Sequence, residues 1–126
     1  MKRSLVLQPL SREHHQALVF SKRLRALAGL PMLNQQQQWQ EFRVALGEAL
    51  LPHFEEEERY FLKELGVTAD NDLIKHMLND HQAMRAYIRS DETGQLLHFA
   101  ELLKAHVRFE ERELFPWLEQ EFSLSD

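Results

Sequence analysis

The sequence predicts an all-α protein: an antiparallel up-down-up-down four-helix bundle with a metal site in its core. Three observations carry that reading. Breaks containing glycine, proline or small polar residues divide the chain into four segments of helix length. The segments are rich in Leu, Ala, Glu, Gln, Arg and Lys, and none alternates apolar and polar residues with period two. Two of them carry near copies of one motif: His53 to Leu65 reads HFEEEERYFLKEL and His106 to Leu118 reads HVRFEERELFPWL.

The first helix is expected over residues 11–28, with Ser11 as its N-cap and Gly29-Leu30-Pro31 as its stop. Its apolar stripe is Leu10, Ala17, Ser21, Leu24 and Ala28, with His14 on the stripe's edge and His15 nearly opposite. The second helix is expected over 35–65, its first turns being the solvated Gln35–Gln38 run. Its stripe is Trp39, Phe42, Leu46, Ala49, Leu50 and Phe61, with His53 in the middle. Pro52 has no N–H for the Glu48 carbonyl and should kink this helix just before His53. The third helix is expected over 70–89. His81 is central to its stripe of Ile74, Met77, Leu78, Met84 and Ile88, while His76 faces solvent. The fourth is expected over 95–120, capped near Thr93, with stripe Phe99, Leu102, Leu103 and Leu114. His106 lies on that stripe and His98 at its flank. The short connections favour antiparallel neighbours, and residues 1–126 read as one domain.

Composition narrows the function. The formal charge is −5, which argues against nucleic acid as the main partner. The absence of cysteine excludes disulfides, iron–sulfur clusters, thiolate zinc sites and cysteine nucleophiles. No apolar run approaches the roughly 18 residues of a membrane span, and the N-terminal apolar run is too short for a signal peptide. The expectation is a cytoplasmic protein.

Helical phase selects the chemistry. At about 100° per residue, a Glu four residues after a His lies only about 40° from it. Glu57 and Glu110 therefore point inward with His53 and His106. Together with His14 and His81, four helices aim four imidazoles and two carboxylates at one region. Burying two unpaired carboxylates costs several kcal/mol each. The inner face has no matching set of Lys or Arg, and only Arg85 lies near it. A metal dication offsets that cost. The donors are too many for one tetrahedral zinc and suit two metal ions, with Glu57 and Glu110 bridging. Iron leads, with zinc or manganese as alternatives. Glu56 and Glu113 lie nearest the inner face among the remaining acids, which makes them the candidates to accept hydrogen bonds from ligating histidines. Glu55, Glu56, Glu58 and Glu111 read first as a solvated charge run paired with Arg59 and Arg112.

In REHHQAL, PHFEEEERYFL, LNDHQAMR and HVRFEERELFPWL, with the two His-x-x-x-Glu motifs and Leu114-Phe115-Pro116, the chain resembles the hemerythrin-like (HHE cation-binding) family. The resemblance covers nearly the whole chain. It implies a non-haem di-iron centre held by His14 (with His15 as rival), His53, Glu57, His81, His106 and Glu110. Oxygen-carrying members have a second His one turn before the third-helix ligand, where this chain has Met77. They also place the fourth-helix carboxylate five residues after its His, which would select Glu111; phase favours Glu110, about 40° rather than about 140° away. The pattern is closer to bacterial and regulatory hemerythrin-like domains.

Three functions compete. The first is a non-enzymatic binding or sensing protein for a small diatomic ligand, dioxygen or nitric oxide, or a holder of iron. The second is a di-iron redox enzyme acting on nitric oxide or peroxide. The third is a metal-free structural bundle. The expected partners are a diatomic ligand and, for assembly, a homodimer, with no nucleic acid and no membrane.

Overall fold

Pro9 and Ser11 show how the first helix starts. In the computed structural model, which describes residues 3–124, α1 spans Gln8–Ala28 and so begins before Ser11. Pro9 sits in its first turn, where a missing N–H costs nothing. Ser11 is thus inside the helix rather than capping it, and its hydroxyl donates to Glu111 Oε2 at 2.7 Å. The Ser4 carbonyl accepts from the Leu7 and Gln8 amides instead.

Helix α2 spans Met32–Glu58 and runs on as a π-helical turn, Arg59–Glu64. Pro52 lies inside α2 without ending it, and the π turn begins later, at Arg59. Gly66, at φ 76°, closes the segment in the left-handed region that glycine adopts freely. The half-buried Gln35 donates its side-chain amide to the Ala28 and Leu30 carbonyls, satisfying the end of α1. Helix α3 spans Asp72–Arg89, capped by Asn71, whose side-chain oxygen accepts from the Leu73 and Ile74 amides. Helix α4 spans Leu96–Phe109, continues as a π turn over Glu110–Leu114, and passes into α5, Phe115–Glu121. Thr93 is not its cap: Gln95 holds that position and the Thr93 hydroxyl faces the Met32 sulfur.

Consecutive helices pack on each other and α4 closes back on α1. The described residues contain no strand and no helix long and apolar enough to cross a membrane. Two apolar clusters fill the interior. One is built on Phe20, Leu24, Trp39, Phe42, Leu46 and Phe99, the other on Leu10, Phe61, Ile74, Met77, Leu114 and Phe115. Each fully buried Phe contributes about 1.5–3 kcal/mol through lost contact with water. The Trp39 indole N–H finds the Ser90 carbonyl at 2.9 Å, so its burial leaves no donor unpaired. The chain visits the two clusters in alternating order, compatible with up-down-up-down topology. On each of the four long helices the inward histidine or glutamate falls where one cluster gives way to the other.

Candidate metal centre

His14, His53, Glu57, His81, His106 and Glu110 are all buried, and the structure brings all six together. Their donor atoms form two overlapping sets. In His14, His53, Glu57 and Glu110 one atom from each residue lies within 4.8 Å of the others, and the same holds for Glu57, His81, His106 and Glu110. Donors on one first-row ion at about 2.0–2.2 Å stand up to about 4.4 Å apart, so either set needs only a small closing motion. Both carboxylates belong to both sets.

The four Nε2 atoms face the carboxylates. His14 Nε2 lies 2.7 Å from Glu110 Oε1, His81 Nε2 3.0 Å from Glu57 Oε1, His53 Nε2 3.3 Å from Glu57 Oε2, and His106 Nε2 3.4 Å from Glu110 Oε1. Closeness does not make most of these hydrogen bonds. Both Glu57 oxygens, Glu110 Oε2 and the Nε2 atoms of His81 and His106 are buried without a hydrogen-bond partner. Such atoms are costly in a folded core. They aim at shared points rather than at each other, and hard carboxylate oxygen with neutral imidazole nitrogen is the donor set of a first-row transition ion. The residues fit a pair of metal ions.

The four Nδ1 atoms face outward, each to a different carboxylate. His53 Nδ1 meets Glu13 Oε1 at 2.6 Å, His81 meets Glu58 Oε2 at 2.7 Å, His106 meets Asp80 Oδ2 at 2.9 Å, and His14 meets Glu111 Oε2 at 2.6 Å. These contacts run α1 to α2, α2 to α3, α3 to α4, and α4 back to α1. They form a closed ring in which every neighbouring pair of helices shares one carboxylate–imidazole bond. An Nδ1–H donated to a carboxylate fixes the ring's orientation and leaves Nε2 to act as the ligand. Two outer acids are themselves braced: Arg85 Nη1 donates to Glu58 at 2.8 Å, and Arg3 Nη2 to Glu111 at 3.1 Å.

The electrostatics follow. Burial pulls each imidazole pKa down, but carboxylates at both ring edges outweigh it. His14 is held up at about 9 by Glu110 and Glu111, His53 at about 9 by Glu57, Glu110 and Glu13, and His106 at about 10 by Glu110 and Asp80. His81 is raised by Glu57 and Glu58. Burial pushes the Glu110 carboxyl up, yet His106 and His14 hold it well below the usual carboxylate range.

Aromatic rings wall the centre. Phe115 stacks on His14 with centroids 5.3 Å apart, and Phe54 stacks on His81 at 4.3 Å. His15 is exposed on the outside of α1, so the geometry favours His14. His76 is half exposed, stacked on Phe109 and 3.3 Å from Asp80, and His98 is exposed beside Gln95.

Glu56 and Glu113, the acids expected to support the histidines, do not do so. Both are exposed, and Glu56 pairs with Arg59 as the charge-run reading expects. Glu58 and Glu111, read as solvated charge, take that role with Glu13 and Asp80. A usable signal was present: each inward His of α1 and α3 directly follows an acid (Glu13-His14, Asp80-His81), and each inward Glu of α2 and α4 directly precedes one (Glu57-Glu58, Glu110-Glu111).

Comparison with curated proteins and with solved structures finds no match. A family model does match: "Hemerythrin HHE cation binding domain", over residues 5–118.

Proposed function

Because the chain belongs to the hemerythrin HHE cation-binding domain family, we propose that its core holds two iron ions and that the pair binds a small diatomic ligand, dioxygen or nitric oxide. The observation that supports this reading is the sharing of Glu57 and Glu110 by two four-donor sets. His14 and His53 would hold one ion and His81 and His106 the other, with Glu57 and Glu110 within reach of both. A bound iron pair supplies Lewis-acid, redox-active positions for a diatomic ligand. The chain's own part is to present Nε2 through the Nδ1 ring, to exclude bulk water with Phe54 and Phe115, and to keep Glu110 ionised. Met77 stands one turn before His81, so the third helix brings one imidazole to its ion rather than two. The two positions therefore carry equal numbers of histidines.

Metal analysis of the purified protein tests the proposal. The expected result is two irons per chain, near-ultraviolet charge-transfer absorption, and a spectral change on adding nitric oxide to the reduced protein. A single zinc per chain, or no spectral response to either gas, would sink it.

A further inference from the structure

The two donor sets are matched in composition but not in surroundings. Glu13 and Asp80 hold equivalent places, each one residue before an inward His and each bonded to Nδ1 of the His on the next helix. The Asp80 side chain is 14% exposed and the Glu13 side chain 57%. Beside Glu13 a cleft of about 330 Å³ opens between α1 and α2. Gln16, Ala49 and Pro52 wall it, Glu13 and Glu48 bring carboxylates to it, and His53 is part of its lining. Behind His53 waits Glu57 Oε2, 3.3 Å from Nε2, fully buried and without a hydrogen-bond partner. The other set is covered by an aromatic ring: His81 is fully buried, with Phe54 stacked on it and standing edge-on to His106.

We infer that divalent cations enter and leave the centre through the α1–α2 cleft, captured first by Glu13 and His53 and then drawn in by Glu57. This rests on the proposed metal-binding function. At about 30 Å³ per water, the cleft has room for roughly ten waters, enough for a dication with much of its hydration shell. Two carboxylates along the way favour cations over anions. Glu13 breaks only one bond to swing clear of His53, and water replaces it at that exposed position. The ion in the His14–His53 set therefore exchanges before the ion in the His81–His106 set, whose outer acid Asp80 is largely buried.

The test loads metal-free protein with zinc and follows its removal by excess chelator in a stopped-flow instrument. Wild type should release two equivalents in two phases. Ala49→Phe, at an exposed position on the cleft wall, should keep two zincs at equilibrium but slow the fast phase at least tenfold. Gln16→Trp on the opposite wall should do the same, which guards against one variant failing to fold. Glu13→Ala should speed the fast phase and leave the slow one alone. Ala45→Phe, in a different groove beside Arg23 and Gln38, should change neither. Fully loaded Ala49→Phe and Gln16→Trp proteins with wild-type rates would overturn the cleft as the route while leaving the metal-binding reading intact. A wild-type chain that takes up no zinc would overturn both.

Discussion

Glu111 Oε2 lies 2.6 Å from His14 Nδ1, and this contact closes the ring of carboxylates around the centre by joining the π turn after α4 to α1. The same carboxylate oxygen accepts from Ser11 at 2.7 Å, and its partner oxygen from Arg3 at 3.1 Å. Glu111 therefore does two jobs: it aims an imidazole inward and pins the N-terminal segment to α4.

Loss of a ring carboxylate should weaken metal binding without dissolving the fold. Glu111→Ala or Glu58→Ala is expected to lower affinity about 10–100-fold, the range for removing such a partner of a ligating His. Glu111→Gln should lose less, because its amide oxygen still accepts from Nδ1–H. Competition against a chromophoric chelator measures this, with far-ultraviolet circular dichroism to check helix content. Equal affinity in Glu111→Ala and wild type would show the ring to be incidental.

The adjacent histidines of α1 should separate cleanly. His14→Ala removes one of four imidazoles and leaves Glu110 short of its 2.7 Å partner. It should lose at least one metal equivalent. His15→Ala touches only the exposed side of α1 and should keep full metal content. Metal analysis of the two variants side by side decides, and the reverse pattern would mean that the helix presents His15 instead.

The six inward groups were legible because each belongs to one helix and its phase against an apolar stripe can be counted. The ring was not legible in this way. Glu58 and Glu111 lie about 100° from the inward Glu57 and Glu110, which on an isolated helix is a flank facing water. They become partly buried only because α3 and α1 pack there, and no single helix encodes that. Glu56 and Glu113 were favoured by nearness to the stripe, a criterion blind to the neighbouring helix. The π turns at Arg59 and Glu110 were also invisible, since one extra residue in a turn leaves no distinctive composition. They follow or begin at the two inward glutamates, in the two segments whose sequences match.

Stability without metal should fall as pH rises. A histidine whose folded pKa is raised binds its proton more tightly when folded. Its contribution is fully present below the unfolded value near 6.5 and is lost as pH climbs through the folded value. For His14, His53 and His106 that window runs from 6.5 to about 9 or 10. Glu110 acts oppositely, its contribution fading as pH drops through its depressed value. The metal-free melting temperature should thus be highest between these limits and decline toward pH 10. Metal must displace the Nε2 protons, so affinity should rise over the same alkaline window. Thermal melts at pH 6, 8 and 10, with and without metal, would reveal the opposed trends, and a flat metal-free series would refute the account.

Phe54 couples core packing to the centre. It is fully buried, stacks on His81 at 4.3 Å and approaches Arg85 with its guanidinium carbon 5.7 Å from the ring centroid. Phe54→Ala should cost about 3–5 kcal/mol by opening a cavity. It should also free the His81 ring to tilt, so metal affinity should drop along with the denaturation midpoint. Phe54→Leu refills most of the space and should recover stability better than it recovers affinity, because Leu has no flat face to set the imidazole plane. Parallel recovery of both would assign Phe54 to packing alone.

Removing the metal should destabilise the fold by an amount that grows with affinity. Glu57 buries two oxygens without a hydrogen-bond partner, and an ion bound to the folded state alone relieves that cost. An ion at about 1,000 times its dissociation constant adds about 4 kcal/mol through mass action. Chelation followed by urea titration should shift the midpoint down by a corresponding amount, and restored metal should shift it back. Replacing Glu57 and Glu110 by Gln weakens binding and removes two buried charges at once. The double variant should respond little to metal, while its four imidazoles lose the carboxylates that hold their protons. Its melting temperature should then vary less with pH than that of the metal-free wild type. Undiminished stabilisation by metal in the double variant would place the binding site elsewhere.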